Sequence, residues 1–225
     1  MRIALYWAVA TWLFYLALEP VVRRNMPELI VSWNRLLTGD WRDPLVGRDV
    51  LLGALCAVAT VTLLYLSLLA QRFFYIDFNA LIDPNALIGL RSPVSIILSV
   101  SGGTIMGGFA FVCLLVILFL MLRRRLYAGI ALFVVGATIS GLFFSQSLAD
   151  LPFMLVSMGI MCIVVSRLGL VATIVMFTVH SWMLSTLFTL NFSAWYATPM
   201  FVTLGLILFL LAYGFKVSIA NRPLF

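Results

Sequence analysis

The stretch "IILSVSGGTIMGGFAFVCLLVILFLMLRRR" (Ile96–Arg125) decides the structural class of this protein. Its apolar part exceeds the ~20 helical residues that cross a ~30 Å hydrocarbon layer, and it ends at consecutive arginines. Comparable apolar runs precede and follow it. The predicted spans are Ile3–Val22, Val50–Ala70, Ile96–Leu122, Leu126–Leu148, Leu151–Ser166, Leu168–Leu190 and Ala197–Phe215. The sequence therefore predicts an all-α integral membrane protein with about seven transmembrane helices in a single polytopic domain, residues 1–225.

The connections between these spans differ sharply in positive charge. If they alternate between two faces, 11 of the 14 Lys and Arg side chains share one face, whereas Arg2, Arg72 and Arg91 occupy the other. The basic face holds Arg23, Arg24, Arg35, Arg42, Arg48, Arg123, Arg124, Arg125, Arg167, Lys216 and Arg222. Because cytoplasmic loops are enriched in Lys and Arg, we expect the amino terminus outside and the carboxyl terminus in the cytoplasm. Six or eight spans would mix the charges.

The composition excludes a water-soluble globule. The chain is 64% hydrophobic and 10% charged, so its polar side chains cannot cover a surface in water. Its net charge of +6 is interpreted as orientation signals and contacts with anionic lipids at the cytoplasmic face. A nucleic-acid partner is not expected, because no basic stripe with interleaved aromatic residues is present.

The cytoplasmic segment 23–49 is expected to form a short amphipathic helix in the interface plane. Asn25 is predicted to cap its start, and Thr38–Gly39 to end it. Trp33 and Trp41 are expected at the depth of the lipid headgroups.

The external segment 71–94 is unusually apolar for a connection between spans. A segment of this composition is expected to lie on the bilayer surface or under another subunit. It is the first indication of a partner. The outer membrane interface is predicted to lie at Asn191, Trp195 and Tyr196. The inner interface is predicted to lie at Tyr213 and Lys216.

Small residues recur in two neighbouring spans. Gly103 and Gly107 are four residues apart in the third span, and Gly136 lies in the fourth. Such spacing lets helix backbones approach closely in lipid. The third and fourth spans are therefore predicted to pack as a tight hairpin.

Ionisable residues inside the spans, which commonly mark transport or catalysis, are almost lacking. Glu19 is expected to pair with Arg23 one helical turn away, and Asp150 to act as a cap at headgroup level. Cys56, Cys113 and Cys162 form no CxxC pair and are interpreted as small apolar residues. No protease, kinase or nucleotide-binding motif occurs. We therefore expect no enzymatic activity and no metal site.

The single histidine, His180, lies near the middle of the sixth span. A neutral imidazole at this depth could ligate a tetrapyrrole such as haem, chlorophyll or bacteriochlorophyll. The alternative is a hydrogen bond to a Ser or Thr hydroxyl or to a carbonyl of a neighbouring helix. A cofactor at this site is left open, as is a lipid or carotenoid at an interface with another subunit.

Three stretches resemble the membrane region of large bacterial serine/threonine protein kinases, especially those of Acidobacteria. They are "LALEPVVRRNMPELIVSWNRLLTGDWRDPLVGRDVLLG" (Leu16–Gly53), "NFSAWYATP" (Asn191–Pro199) and "AYGFKVSIANRPLF" (Ala212–Phe225). The resemblance implies a bacterial protein of the cytoplasmic (inner) membrane. In that family a kinase domain precedes the membrane region. Here the chain begins at a span, so the kinase domain is expected to be absent and no kinase activity is carried over.

Two functions follow as hypotheses. The first is a non-catalytic structural or accessory subunit of a larger bacterial membrane complex, including a pigment- or quinone-containing bioenergetic assembly, with other integral membrane subunits as partners. The second is a membrane anchor or sensor module that works with a separate serine/threonine kinase through segment 23–49. Small-molecule transport is weaker, because the spans lack charged groups.

Overall fold

The computed structural model describes residues 2–73, 93–144, 150–186, 188 and 198–219, and in these ranges every regular element is helical. The α-helices are α1 (Arg2–Asn25), α2 (Val31–Leu37), α3 (Pro44–Phe73), α4 (Pro93–Leu122), α5 (Arg125–Phe144), α6 (Leu151–Ile163), α7 (Leu170–Leu184) and α8 (Thr198–Ser218). A 3₁₀ turn (Pro27–Ile30) precedes α2, and a π-helical turn (Val164–Leu168) continues α6.

Among the described residues, six helices are long and apolar enough to cross a membrane: α1, α3, α4, α5, α6 with its π turn, and α8. The chain is therefore an all-α, multi-pass membrane protein. The apolar helix α7 is shorter than these six. It occupies the predicted span Leu168–Leu190 but ends at Leu184, and much of 185–190 lies outside the described residues.

Some helix boundaries differ from those predicted from the apolar runs. Helix α3 begins at Pro44 rather than Val50, because Asp43 accepts the Leu45 amide through its Oδ1 at 2.8 Å and Pro44 suits the first helical position. Helix α6 reaches Leu168 through a π turn, which lengthens the short fifth span. The apolar external segment 71–94 and the interface residues 191–196 fall mostly or wholly outside the described residues.

Several contacts bring the basic connections together at one end of the helical bundle, which we call the basic end. The hydroxyl of Tyr213 donates to the Trp41 carbonyl, and Glu28 forms an ion pair with Arg125. At the opposite end, Gln71 at the end of α3 donates to Asp150. The basic residues of these connections therefore share one end, as the charge pattern predicted.

One prediction for segment 23–49 is wrong. Asn25 does not cap the following helix: it belongs to α1, and its Nδ2 donates to the Val21 carbonyl at 2.8 Å. Trp33 packs against other helices of the bundle. Its ring lies 5.3 Å from that of Phe109 and 6.2 Å from that of Tyr15, because α2 folds back onto the bundle. The predicted end of this helix at Thr38–Gly39 is confirmed by the positive φ of Gly39, +90°.

The glycines of α4 face partners other than α5. Helices α4 and α5 are packed neighbours, as predicted, but Gly103 and Gly107 lie beside Trp7 of α1 and Phe177 of α7. Gly136 of α5 in turn lies against Met158 of α6. The small residues therefore admit large side chains of other helices.

Helix α7 is the centre of the bundle. It packs against α3 and α4, and its buried residues include Leu170, Ala172 and Met176. At Gly53 of α3, a Cβ atom would lie 2.5 Å from the Ala172 carbonyl oxygen. The backbones of α3 and α7 therefore approach closely, which sets the position of the polar side chains farther along α7.

Candidate functional site

Three polar side chains of helix α7 reach neighbouring helices in an otherwise apolar interior. Thr178 lies 3.1 Å from the hydroxyl of Thr104 on α4, with the two oxygens sharing a hydrogen bond. Trp182 donates its indole N–H to the Ser101 hydroxyl of α4, also at 3.1 Å. Residues Thr178, His180 and Trp182 therefore give α7 polar links to more than one neighbour.

Beyond the end of α7, Thr186 continues this pattern toward α8. Its Oγ1 lies 2.9 Å from the Oγ1 of Thr203, and both side chains are buried. The Thr186 hydroxyl also contacts the Trp182 carbonyl at 2.8 Å. Such hydrogen bonds between helices stabilise association in lipid, where apolar surface gives no preference for helix over acyl chain.

His180 connects α7 to α3 through Thr60. Its Nδ1 lies 3.1 Å from the Thr60 Oγ1, and that hydroxyl lies 2.9 Å from the Ala57 carbonyl oxygen of its own helix. A hydroxyl carries one proton, and the Ala57 carbonyl can only accept. Both contacts are hydrogen bonds when Thr60 donates to Ala57 and His180 donates from Nδ1–H. The network thus favours the neutral tautomer with the lone pair on Nε2.

This geometry supplies the hydrogen bond to a neighbouring hydroxyl that was one of the two alternatives for His180. It does not test the other alternative, because Nε2 keeps the lone pair that a metal in a tetrapyrrole requires. Among the described residues, no group of three or more His, Cys, Asp or Glu side chains could hold a metal ion. A role of His180 as a cofactor ligand therefore stays a prediction.

The two acidic residues singled out near the span ends have different surroundings. Glu19 accepts from Arg23 at 2.6 Å, which confirms the predicted i,i+4 pair. Asp150 occupies the position before α6 but its side chain makes no capping bond. It accepts from Gln71, which is 1% exposed, so it joins α3 to the start of α6 instead.

A buried charged group at the basic end was not anticipated from the sequence. Asp49, in the first turns of α3, is 1% exposed and accepts from the Ser32 hydroxyl of α2. Arg48 donates to the same carboxylate from Nε at 3.1 Å and Nη2 at 3.0 Å. A second pair, Arg35 with Asp43, joins α2 to the residue before α3. The sequence feature that could have indicated these pairs is the presence of acidic residues among the arginines of segment 23–49, which was expected to lie on the lipid surface.

We expect Thr60→Val to destabilise the protein measurably. The valine keeps the shape of threonine but leaves the His180 Nδ1–H without its acceptor, at a cost of about 0.6–1.7 kcal/mol in a membrane interior. Thr62→Val is the matched control, because the Thr62 hydroxyl is exposed and bonds only the Val58 carbonyl of its own helix. Thermal unfolding in detergent measures both variants, and equal melting temperatures would contradict the proposed link.

No protein-family model, no curated protein and no solved structure matches this chain. The resemblance to kinase membrane regions therefore depends on the three quoted stretches alone.

Proposed function

We propose that this chain is a non-catalytic structural or accessory subunit of a larger membrane protein complex in the bacterial cytoplasmic membrane. The observation that carries the proposal is the way α7 uses its polar side chains. Thr178, His180 and Trp182 all bond side chains of neighbouring helices. Polar groups engaged in this way hold helices in place, whereas a transport path or an active site needs groups that are free to meet a substrate.

The proposal includes seven membrane crossings, with the amino terminus outside. In its support, α7 runs from the basic end, where Gly169 lies against Leu29, toward the opposite end, where Thr186 meets Thr203. These two contacts support counting α7 as a crossing beside the six longer helices. The basic end is assigned to the cytoplasm, because positively charged connections are retained there.

The outer surface of α1 fits a neighbouring integral membrane subunit. Helix α1 is the least buried of the six long apolar helices. Its outward face carries large aromatic side chains, including Tyr6 and Trp12, which are 63% and 60% exposed. Aromatic residues are enriched in contacts between proteins because they offer a large area at a low cost in conformational entropy. Lipid is the other environment that this face suits.

If the complex contains pigments, the residue that we propose as the ligand of a tetrapyrrole is His180. Its Nδ1–H is held by Thr60, as metal-ligating histidines are generally held by a partner of the other ring nitrogen. A carotenoid, quinone or lipid would instead occupy the interface with another subunit, since those molecules need apolar surface rather than a ligand.

The second candidate function is an anchor or sensor module for a separate serine/threonine kinase. It is favoured by the exposed apolar tip between α2 and α3, where Leu37 and Trp41 are 56% and 60% exposed beside Arg42. If the basic end faces the cytoplasm, this tip offers a soluble kinase an apolar and basic docking point.

Purification of the tagged chain from its own membranes in mild detergent tests the first proposal. We expect other integral membrane proteins to accompany it in fixed proportion, identified by mass spectrometry. A chain that runs alone as a monomer would overturn the proposal, and a soluble kinase as the sole companion would favour the second candidate. If the complex absorbs visible light, His180→Leu should reduce the absorbance of one pigment, whereas Thr62→Val should leave the spectrum unchanged.

A further inference from the structure

The described basic residues of the basic end fall into two groups, those that form ion pairs and those that form none. Four of them form ion pairs within the described residues: Arg23 with Glu19, Arg35 with Asp43, Arg48 with Asp49, and Arg125 with Glu28. The second group makes no ion pair in the described part of the chain and is exposed: Arg24, Arg42, Arg123, Arg124, Arg167 and Lys216. These cations are available to an external anion.

Three of these unpaired arginines lie on neighbouring helix ends. Arg124 is one turn before Ala128, whose amide donates to its carbonyl, and Arg167 closely follows Cys162. Ala128 and Cys162 belong to one large buried cluster that also includes residues of α1, the 3₁₀ turn and α4, and α5 packs directly against α6. The 3₁₀ turn joins the same two ends, since Glu28 pairs with Arg125 and the Leu29 carbonyl lies against Gly169. We call Arg123, Arg124 and Arg167 the α5–α6 rim.

Arg123 has a backbone conformation that an arginine rarely adopts. Its φ is +55°, in the left-handed region, where it ends α4 by donating its amide to the Phe119 carbonyl at 2.7 Å. Glycine or asparagine is the usual residue at such a helix end, because a larger side chain strains the backbone. The chain keeps a cation at this strained position, and functional sites are where such strain tends to persist.

Apolar side chains continue directly from the rim along the outer surface of α5 and α6. Leu126 and Ile130 of α5 are 71% and 53% exposed, and Ile163 of α6 is 62% exposed. Leu126 is two residues beyond Arg124, and Ile163 is one turn before Arg167. A molecule that binds the rim with a phosphate can therefore lay hydrocarbon chains along this face.

We propose that the α5–α6 rim is a binding site for one anionic phospholipid. The arginines hold the headgroup phosphate, since guanidinium groups match phosphate oxygens in bidentate geometry. The acyl chains lie over Leu126, Ile130 and Ile163. The contiguity of cations and aliphatic surface selects a membrane lipid over a soluble phosphate, which would gain nothing from the apolar face. This site is independent of whether the chain is a subunit of a complex.

Native mass spectrometry of the purified chain, titrated with phosphatidylglycerol or phosphatidylcholine, tests the site. One variant replaces Arg123, Arg124 and Arg167 with glutamine. Its matched control replaces Arg24, Arg42 and Lys216 with glutamine, which removes the same charge from exposed, unpaired positions at the same end. We expect the rim variant to bind phosphatidylglycerol about fivefold more weakly for each arginine removed, and the control to resemble the original chain.

Three outcomes would overturn the proposal. Equal losses of phosphatidylglycerol binding in the two variants would mean that positive charge attracts the lipid without a defined site. Equal binding of phosphatidylglycerol and phosphatidylcholine would mean that the phosphate charge is not recognised. If glycerol phosphate competed at concentrations comparable to those of phosphatidylglycerol, the apolar face would not contribute to binding. Circular dichroism and thermal unfolding verify that both variants are folded. Arg123→Gly, provided that its melting transition is intact, tests one arginine of the rim by itself.

Discussion

Gly169→Ala should lower the free energy of unfolding by about 3 kcal/mol or more. Two independent penalties add at this position. The backbone has φ +88° and ψ −162°, a region essentially restricted to glycine. In addition, a Cβ atom would lie 2.6 Å from the Leu29 carbonyl oxygen. The 3₁₀ turn would have to move away from the start of α7.

Two other glycines separate these penalties. Gly39 has a similar φ of +90° but open space around its Cβ position, so Gly39→Ala measures the penalty of a positive φ without a steric contact. Gly129 is in α5 with open space, so Gly129→Ala carries neither penalty and should raise helix stability by up to about 1 kcal/mol. Thermal unfolding in detergent compares all three. A loss at Gly169 no larger than the loss at Gly39 would contradict the proposed contact with Leu29.

The apolar runs of the sequence predict the long helices better than they predict α7, the helix that follows Gly169. The long runs in α3, α4 and α8 are correctly predicted, since ~20 apolar residues fit a membrane crossing and little else. The run Leu168–Leu190 was expected to give one span of similar length. Helix α7 instead begins at Leu170, after the chain turns at Gly169 against the 3₁₀ turn, and it ends at Leu184, six residues before the predicted end. Tertiary contact of this kind leaves no mark in hydropathy.

The partners of polar and small residues were less predictable than their presence. A hydroxyl partner for His180 was one of two alternatives, but nothing in the sequence distinguishes Thr60 from other intramembrane hydroxyls. Likewise, the spacing of Gly103 and Gly107 indicates a close approach without saying which helix approaches. The rotation of each helix about its own axis decides which partners these residues meet, and that rotation depends on the packing of the whole bundle.

Segment 23–49 shows the clearest departure from the sequence-based expectation. An amphipathic segment rich in arginine was expected to lie on the lipid surface. Instead, Trp33 enters the bundle, where its indole Nε1 is buried without a hydrogen-bond partner among the described residues. Asp49, at the end of the same segment, is also buried. The acidic residues hold the segment on the bundle, so composition alone could not separate a surface anchor from a packed element.

Asp49→Ala is expected to cost about 2–4 kcal/mol of unfolding free energy. The substitution leaves the buried Ser32 hydroxyl without its acceptor and removes a charge-assisted bond with Arg48. Asp49→Asn should cost less, because its amide oxygen still accepts from Ser32. Asp40→Ala is the control, since Asp40 is exposed and its contact with the Thr38 hydroxyl is long, at 3.3 Å. It should change stability by less than about 0.5 kcal/mol.

A double-mutant cycle of Ser32→Ala and Asp49→Ala then tests whether the two residues act as one link between α2 and α3. Residues in direct hydrogen-bond contact are expected to show a coupling of about 0.5–3 kcal/mol, so the double variant should lose less stability than the two single losses added. Trypsin offers a second measurement, because a released segment exposes the bond after Arg35. Additive losses with unchanged cleavage would mean that the Asp49 carboxylate does not hold α2, and that the segment lies on the membrane surface as its composition first indicated.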